Sequence, residues 1–253
     1  MSEVERERRD GVLVITINRP EARNAVNQAV AAGVAAAGGE LEAEDELRVG
    51  VLTGAGGTFC AGMDLKAFVQ GEAPFVEGRG FAGLTESPPR KPLIAAVEGF
   101  ALAGGFETAL ACDLIVAAED ASFGIPEVKR GLVAAAGGLI RLPKRIPYHL
   151  AMELALTGER IDAPTARSWG VVNRLAPSGG ALDAALELAG TIARNGPLAL
   201  DASKEIVRGA PDWTEEEAWQ RQGELVGRVF GSEDAQEGAT AFAEKRDPVW
   251  KGK

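Results

Sequence analysis

The sequence predicts an α/β fold followed by a helical C-terminal region. Three observations carry that expectation. Apolar, strand-like runs in the first half each lead through glycine into a helical pattern. Strand signals fade beyond Arg145, where "GVVNRL" (170–175) is the exception. From about Pro197 onward every segment has helical spacing. The 253 residues, 46% hydrophobic and 25% charged, suffice for one large core with an appendage. We therefore expect residues 1–196 to form the core and residues 197–253 a helical region that mediates assembly.

"VLVITIN" (12–18) alternates and is rich in β-branched residues, so it reads as a strand. "RPEARNAVN" is a polar loop, and Asn27 is placed to cap a helix over residues 27–47. "VGVLTGAGG" (49–57) reads as a short buried strand ending in glycines, and "AGMDLKAF" as a helix start. Residues 71–92, rich in Gly, Pro and charge, read as a mobile loop. "PLIAAVEG" is strand-like, "ALAGGFETALACD" (101–113) helical and "LIVAAEDASFG" (114–124) strand-like. Helical patterns follow in "HLAMELALTG", "APTARSWG", "ALDAALELAGTIARN", "PLALDASKEIVRG", "TEEEAWQRQGELVGRVF" and "SEDAQEGATAFAEKR". The repetition of strand, glycine turn and helix places functional loops at strand ends.

Composition excludes several chemistries. A net charge of −10 opposes general nucleic-acid binding, which needs a basic face. The most apolar stretch, 92–118, is interrupted by Glu98, Glu107 and Asp113, whereas a membrane span needs about 20 residues with few charges. The charged start "MSEVERERRD" lacks the apolar run of a secretory leader, so a cytoplasmic protein is expected. Cys60 and Cys112 form neither a disulfide framework nor a CxxC metal pair. His149 is the one histidine and reads as structural; no GxSxG elbow and no HExxH motif accompanies it. Neither a Ser-His-Asp hydrolase nor a two-histidine metal site fits. Acid–base chemistry would fall to carboxylates, lysines, Tyr148 or the cysteines.

Two glycine turns and two glutamates remain. "GTFCAGMDLK" (57–66) and "ALAGG" (101–105) each place small residues before a helix start, where backbone N–H groups are unpaired. Two such amides converging on one point would stabilise a developing oxyanion; each turn alone is equally a packing device. Glu107 falls in the first turn of the second helix among Phe106, Ala109, Leu110 and Ala111. The helix dipole favours a carboxylate there by about 0.3–1 kcal/mol, less than the cost of burying an unpaired charge. Glu127 directly follows Pro126 at another helix start, where capping alone would also account for it.

Together these segments resemble the crotonase (enoyl-CoA hydratase/isomerase) family. The matching pieces, in the family's order, include "RPEARNAV", "FCAGMDLK", "GFALAGGFETALACDLIVAA", "SFGIPEVKRG", "AAGGLIRLP" and "AMELALTGERIDAPTARSWGVVNRL". They continue through "GPLALDASK" and "SEDAQEGATAFAEKR", so the likeness spans nearly the whole chain. It implies a spiral of β-turn-α units with a helical tail. It implies an oxyanion hole from the Met63 and Gly104 amides, with Glu107 and Glu127 as the two catalytic glutamates of a hydratase. Glu107 would mainly activate water, Glu127 would exchange the proton at C2, and the Ala135 amide would hold the water. Coenzyme A contacts are implied at Arg23, Ala25, Ala61, Gly62, Asp64, Leu65 and Lys66, with Lys245 reaching a neighbouring subunit's CoA.

By the same resemblance the substrate is an acyl-CoA thioester and no separate cofactor or metal is needed. The expected assembly is a homotrimer or a dimer of trimers. Enoyl-CoA hydration is the first reading, because isomerases often keep only the glutamate at position 127. A carnitinyl-CoA dehydratase-like or isomerase activity, and a non-catalytic acyl-CoA binding protein, are the alternatives. The sequence also departs from the family's pattern. Glu21 stands where many hydratases have lysine, Ala103 replaces a glycine, Met63 replaces a common alanine, and "VAAAGG" (133–138) replaces Pro-Gly-Ala-Gly-Gly. Residues 68–91 are expected to set acyl specificity.

Overall fold

The computed structural model describes residues 2–253. The chain opens with an antiparallel hairpin, β1 (Val4–Arg9) and β2 (Val12–Ile17), turning at Asp10 and Gly11, which both have positive φ. α1 (Gln28–Ala43) starts where the Asn27 side chain accepts the Val30 N–H at 2.9 Å, as expected, and leads into β3 (Val49–Gly54). Next come α2 (Leu65–Val69), the short hairpin β4 (Phe75–Val76) and β5 (Gly80–Phe81), then β6 (Leu93–Val97) and β7 (Phe100–Leu102). α3 (Gly104–Ala111), β8 (Leu114–Ala118) and β9 (Ser122–Gly124) precede a 3-10 turn at Pro126–Arg130. α4 (Gly138–Arg141), α5 (Tyr148–Thr157), β10 (Arg160–Asp162), α6 (Ala163–Ser168), β11 (Arg174–Ala176) and α7 (Ala181–Ala193) follow. The tail consists of α8 (Pro197–Gly209), α9 (Glu215–Phe230) and α10 (Glu233–Glu244).

The main sheet has the order β1-β2-β3-β6-β8-β11 and is parallel from β2 onward. Its interior strands are buried on both faces. Leu13, Leu52, Ala95 and Ile115 join the large core with α1 and α3, while Val49, Val51, Ile94 and Val116 pack under α7. A second sheet, β10-β9-β7, carries the chain across toward the site. Among the described residues no helix is long and apolar enough to cross a membrane.

Four expectations change. β1 escaped notice because "VERERR" is exposed except at Val4, so no apolar alternation marks it. β10 is three residues long and carries no buried side chain at all. Residues 101–102 finish β7, so the helix expected at 101–113 begins only at Gly104; the run 114–124 divides into β8 and β9, one in each sheet.

The fourth concerns residues 71–92, which are not a free loop. Phe81, Ala82, Leu84 and Thr85 are buried, and a Cβ on Gly83 would lie 2.3 Å from the Ala31 carbonyl oxygen. Gly71 and Gly78 do sit in open turns with positive φ, whereas Gly83 permits close backbone approach. The tail is helical from Pro197, as expected, and is anchored to the core by Lys204. That ammonium donates to the carbonyls of Pro89 and Lys91 at 2.8 and 2.9 Å and pairs with Asp113.

Candidate active site

Two parallel segments build the site. Residues 59–62 run alongside residues 98–102: Phe59 N–H donates to Glu98 O, Cys60 N–H to Phe100 O and Leu102 N–H to Cys60 O, at 2.9–3.1 Å. This ladder brings the two glycine turns into contact. A Cβ on Gly62 (φ +98°) would sit 3.1 Å from the Gly104 nitrogen, and one on Gly105 would sit 2.3 Å from Cys60 O. Glycine at these positions is a requirement of proximity. Among the described residues neither the Met63 nor the Gly104 N–H has an acceptor. Both residues line a cavity of about 730 Å³.

Glu107 is 2% exposed and also lines the cavity. Its Oε1 accepts the N–H groups of Ala136 and Gly138, both at 2.8 Å, while Oε2 has no partner among the described residues. Burial pushes its pKa up to about 7, aided by the negative charge of Glu127; the two amides and Arg141 oppose the rise. Glu127 reaches the same cavity from the 3-10 turn, with Oε2 enclosed and unpartnered. Desolvation raises its pKa too, against the pull of Arg130. A wall with two carboxyls of raised proton affinity beside unpaired amides can move a proton next to a polarised carbonyl.

The other expected site residues divide. Arg23, Ala61, Leu65 and Ala135 line the cavity. Ala25, Gly62, Asp64 and Lys66 do not. The Asp64 carboxylate caps α2 through the Lys66 and Ala67 amides and pairs with Arg19 at 3.0 Å, so it is already engaged. Arg19 also donates to Ala25 O at 2.6 Å, which fastens the "EAR" loop to the start of α2. Lys245 ends α10 in a left-handed conformation and lies outside the cavity lining.

A model of the enoyl-CoA hydratase/isomerase family matches residues 7–253. The chain belongs to that family. It is 59% identical to an enoyl-CoA hydratase from Mycobacterium tuberculosis H37Rv, whose crystal structure superposes with a TM-score of 0.98 and full coverage of both chains. It is also 48% identical to a carnitinyl-CoA dehydratase from Mycobacterium avium 104, with a TM-score of 0.80 and full coverage of both. A carnitinyl-CoA dehydratase from Salmonella enteritidis PT4 is 47% identical over 96% of this chain and 95% of its own.

Within this member of the enoyl-CoA hydratase/isomerase family, several site residues had no sequence signal. Ala136 and Gly138, which hold Glu107, sat in a run of small residues with nothing to mark which amide points where. Phe81 packs on the Gly104 side of the cavity: a Cβ on Gly104 would lie 2.6 Å from its ring, and it meets Phe75 edge-on at 5.7 Å. Lys129, Arg130, Glu159 and Arg160 complete the charged wall, with Lys129 and Glu159 paired at 2.6 Å.

Proposed function

We propose that the protein is a hydro-lyase that reversibly adds water across the 2,3 double bond of a 2-enoyl-CoA thioester. The single observation that carries this reading is Glu107: one oxygen fixed by two amides, the carboxyl facing a cavity that unpaired amides and Glu127 share.

In the hydration direction, the thioester oxygen sits between the Met63 and Gly104 N–H groups. Glu107, ionised, takes a proton from water as the oxygen attacks C3. The electron pair of the double bond moves through C2 to the thioester oxygen, forming an enolate. Glu127, protonated, then delivers its proton to C2 and restores the carbonyl. Each oxyanion donor contributes about 2.7–4 kcal/mol by analogy with single-donor deletions. Burial and the negative charge of Glu127 lift Glu107 to about 7, and burial raises Glu127 as well, so the two carboxyls titrate as a coupled pair between which a proton can be exchanged. CoA enters as part of the substrate, with Arg23 and Lys66 as cations for its phosphates.

A second reading, dehydration of a carnitinyl-type 3-hydroxyacyl-CoA, draws support from relatives of that name. It uses the same chemistry on an acyl group bearing a quaternary ammonium. The charge of the wall favours the first reading. Beyond the two glutamates the cavity is lined by Arg23, Lys129, Arg130 and Arg160, and Glu159 is taken by Lys129. A cationic acyl group would find Phe75 and Phe81 but no free carboxylate outside the catalytic pair.

We further propose assembly into a trimer or a dimer of trimers through residues 197–253. The tail exposes Trp219, Phe230 and Phe242, an apolar surface that association would cover. A cytoplasmic location accords with this reading.

The test follows loss of the 2-enoyl absorbance with crotonyl-CoA, longer 2-enoyl-CoAs and crotonobetainyl-CoA, for wild type, Glu107→Gln and Glu127→Gln. Fast hydration of the uncharged substrates, abolished in both variants with CoA binding intact, is expected. Turnover of crotonobetainyl-CoA alone would establish the second reading; binding without turnover of any of them would sink both.

A further inference from the structure

We infer that Arg141 is a positioning residue, whose one guanidinium ties the turn that holds Glu107 to the segment that walls the oxyanion turn. The inference rests on the reading of Glu107 as the water-activating group.

Arg141 closes the single-turn helix α4, half-buried and outside the cavity lining. Its Nη1 donates to Ala136 O at 3.5 Å, and Nη2 donates to Thr85 O. Ala136 is the residue whose N–H holds Glu107 Oε1, so the guanidinium grips the far side of the same residue. Thr85 follows Phe81 by one turn, its N–H donating to Phe81 O at 3.2 Å, and the Phe81 ring lies against Gly104. One planar fork therefore spans the support of the carboxylate and the support of the oxyanion amide.

The neighbouring sequence makes room for this fork. Gly137 has φ +99°, and a Cβ there would fall 2.1 Å from Arg141 Nη1. Any other residue at 137 would evict the guanidinium. The charged groups facing Glu107 are Glu127 from the 3-10 turn and Arg141 from α4; Arg141 favours its ionised form, and Glu127 and burial oppose it. Two further arginines, Arg145 and Arg208, stand near Arg141 and, with burial, lower its pKa. Holding a desolvated arginine against two like charges is unfavourable unless its fork is used.

The experiment compares Arg141→Met, Arg141→Lys and Arg145→Met by two readouts. The first is the titration of the Glu107 carboxyl, read by infrared difference against the matching Glu107→Gln protein. The second is kcat and KM for crotonyl-CoA across pH. In Arg141→Met the carboxyl midpoint should move upward, and kcat should fall about 10²-fold with KM little changed. Arg141→Lys keeps the charge but cannot span both carbonyls. Its midpoint should stay near that of wild type while kcat falls about tenfold. Arg145→Met should move neither.

An unmoved midpoint with near wild-type kcat in Arg141→Met would overturn the inference, as would equal midpoint shifts in Arg141→Met and Arg145→Met. Should Arg141→Met fail to fold, Arg141→Lys decides: lowered kcat at unchanged KM supports the inference, and wild-type kcat overturns it. Should wild type leave 2-enoyl-CoAs untouched, the hydratase reading fails, and the midpoint shift alone judges Arg141.

Discussion

Gly138 lies so close to Glu107 that a Cβ on it would come within 3.0 Å of Glu107 Cγ and 3.1 Å of Oε1. Its own N–H meanwhile donates to that oxygen at 2.8 Å. The glycine therefore supplies a donor and leaves space for the acceptor. Gly138→Ala should displace the carboxyl by a fraction of an ångström and lower kcat about 10–10²-fold. Circular dichroism should be unchanged, because the position already has helical backbone. Steady-state kinetics check this; wild-type kcat in a folded variant would remove the tight fit from the account.

The raised pKa of Glu107 has a consequence for stability. Its folded-state pKa is about 7 against an ordinary 4.5, so between these pH values the folded protein binds more protons than the unfolded chain. Stability should consequently fall as pH rises from about 4.5 to about 7, then level off. At about 1.4 kcal/mol per pH unit, the loss amounts to ~3 kcal/mol. Glu107→Gln removes the titration and can keep both amide contacts. It should be more stable than wild type at pH 8 and nearly equal at pH 4.5. Urea unfolding at the two pH values measures this, and a constant difference between the proteins would refute it.

Ala103 precedes α3 with φ +52° and ψ −131°, a conformation that L-residues with a Cβ rarely adopt. Such strain costs on the order of 1–3 kcal/mol, and the sequence had already marked this position as one where glycine is the family's choice. Ala103→Gly should raise stability by about 1 kcal/mol, the relieved strain exceeding the extra freedom of the unfolded chain. The denaturation midpoint checks it. A lowered midpoint would mean that the Ala103 methyl, which a Cβ on Gly62 would meet at 2.9 Å, contributes packing that outweighs its strain.

Legibility followed the physics of each signal. The buried parallel strands β3, β6 and β8 were visible because sheets covered on both faces need continuous apolar runs, while β2 was marked by its β-branched residues and proved buried on both faces. Glu107 stood out because a lone carboxylate among small apolar residues demands a reason. What stayed hidden depended on contacts between distant residues. Nothing in "GRGFAGLT" says that Phe81 will lie on Gly104, and nothing in "AAAGGLIR" says which amide turns toward Glu107. The engagement of Asp64 was equally hidden: its place in a matching motif said nothing of the cap on α2 and the Arg19 pair that occupy its carboxylate.

The attachment of the tail rests on Lys204, which leaves α8 to meet two carbonyls and the Asp113 carboxylate with 11% of its side chain exposed. Asp113 also accepts the Leu93 N–H at 2.8 Å, so this ion pair joins the tail to the start of β6. Lys204→Met keeps the stem but leaves the two carbonyls and the carboxylate with one donor fewer. We expect a loss of about 2 kcal/mol. Hydrogen exchange should distinguish a docked appendage from a fused core. If residues 197–253 form a separable region, exchange in α8–α10 should quicken before that in β2, β3 and β6. Uniform acceleration throughout would mean that tail and core unfold together and that a boundary near 196 has no energetic meaning.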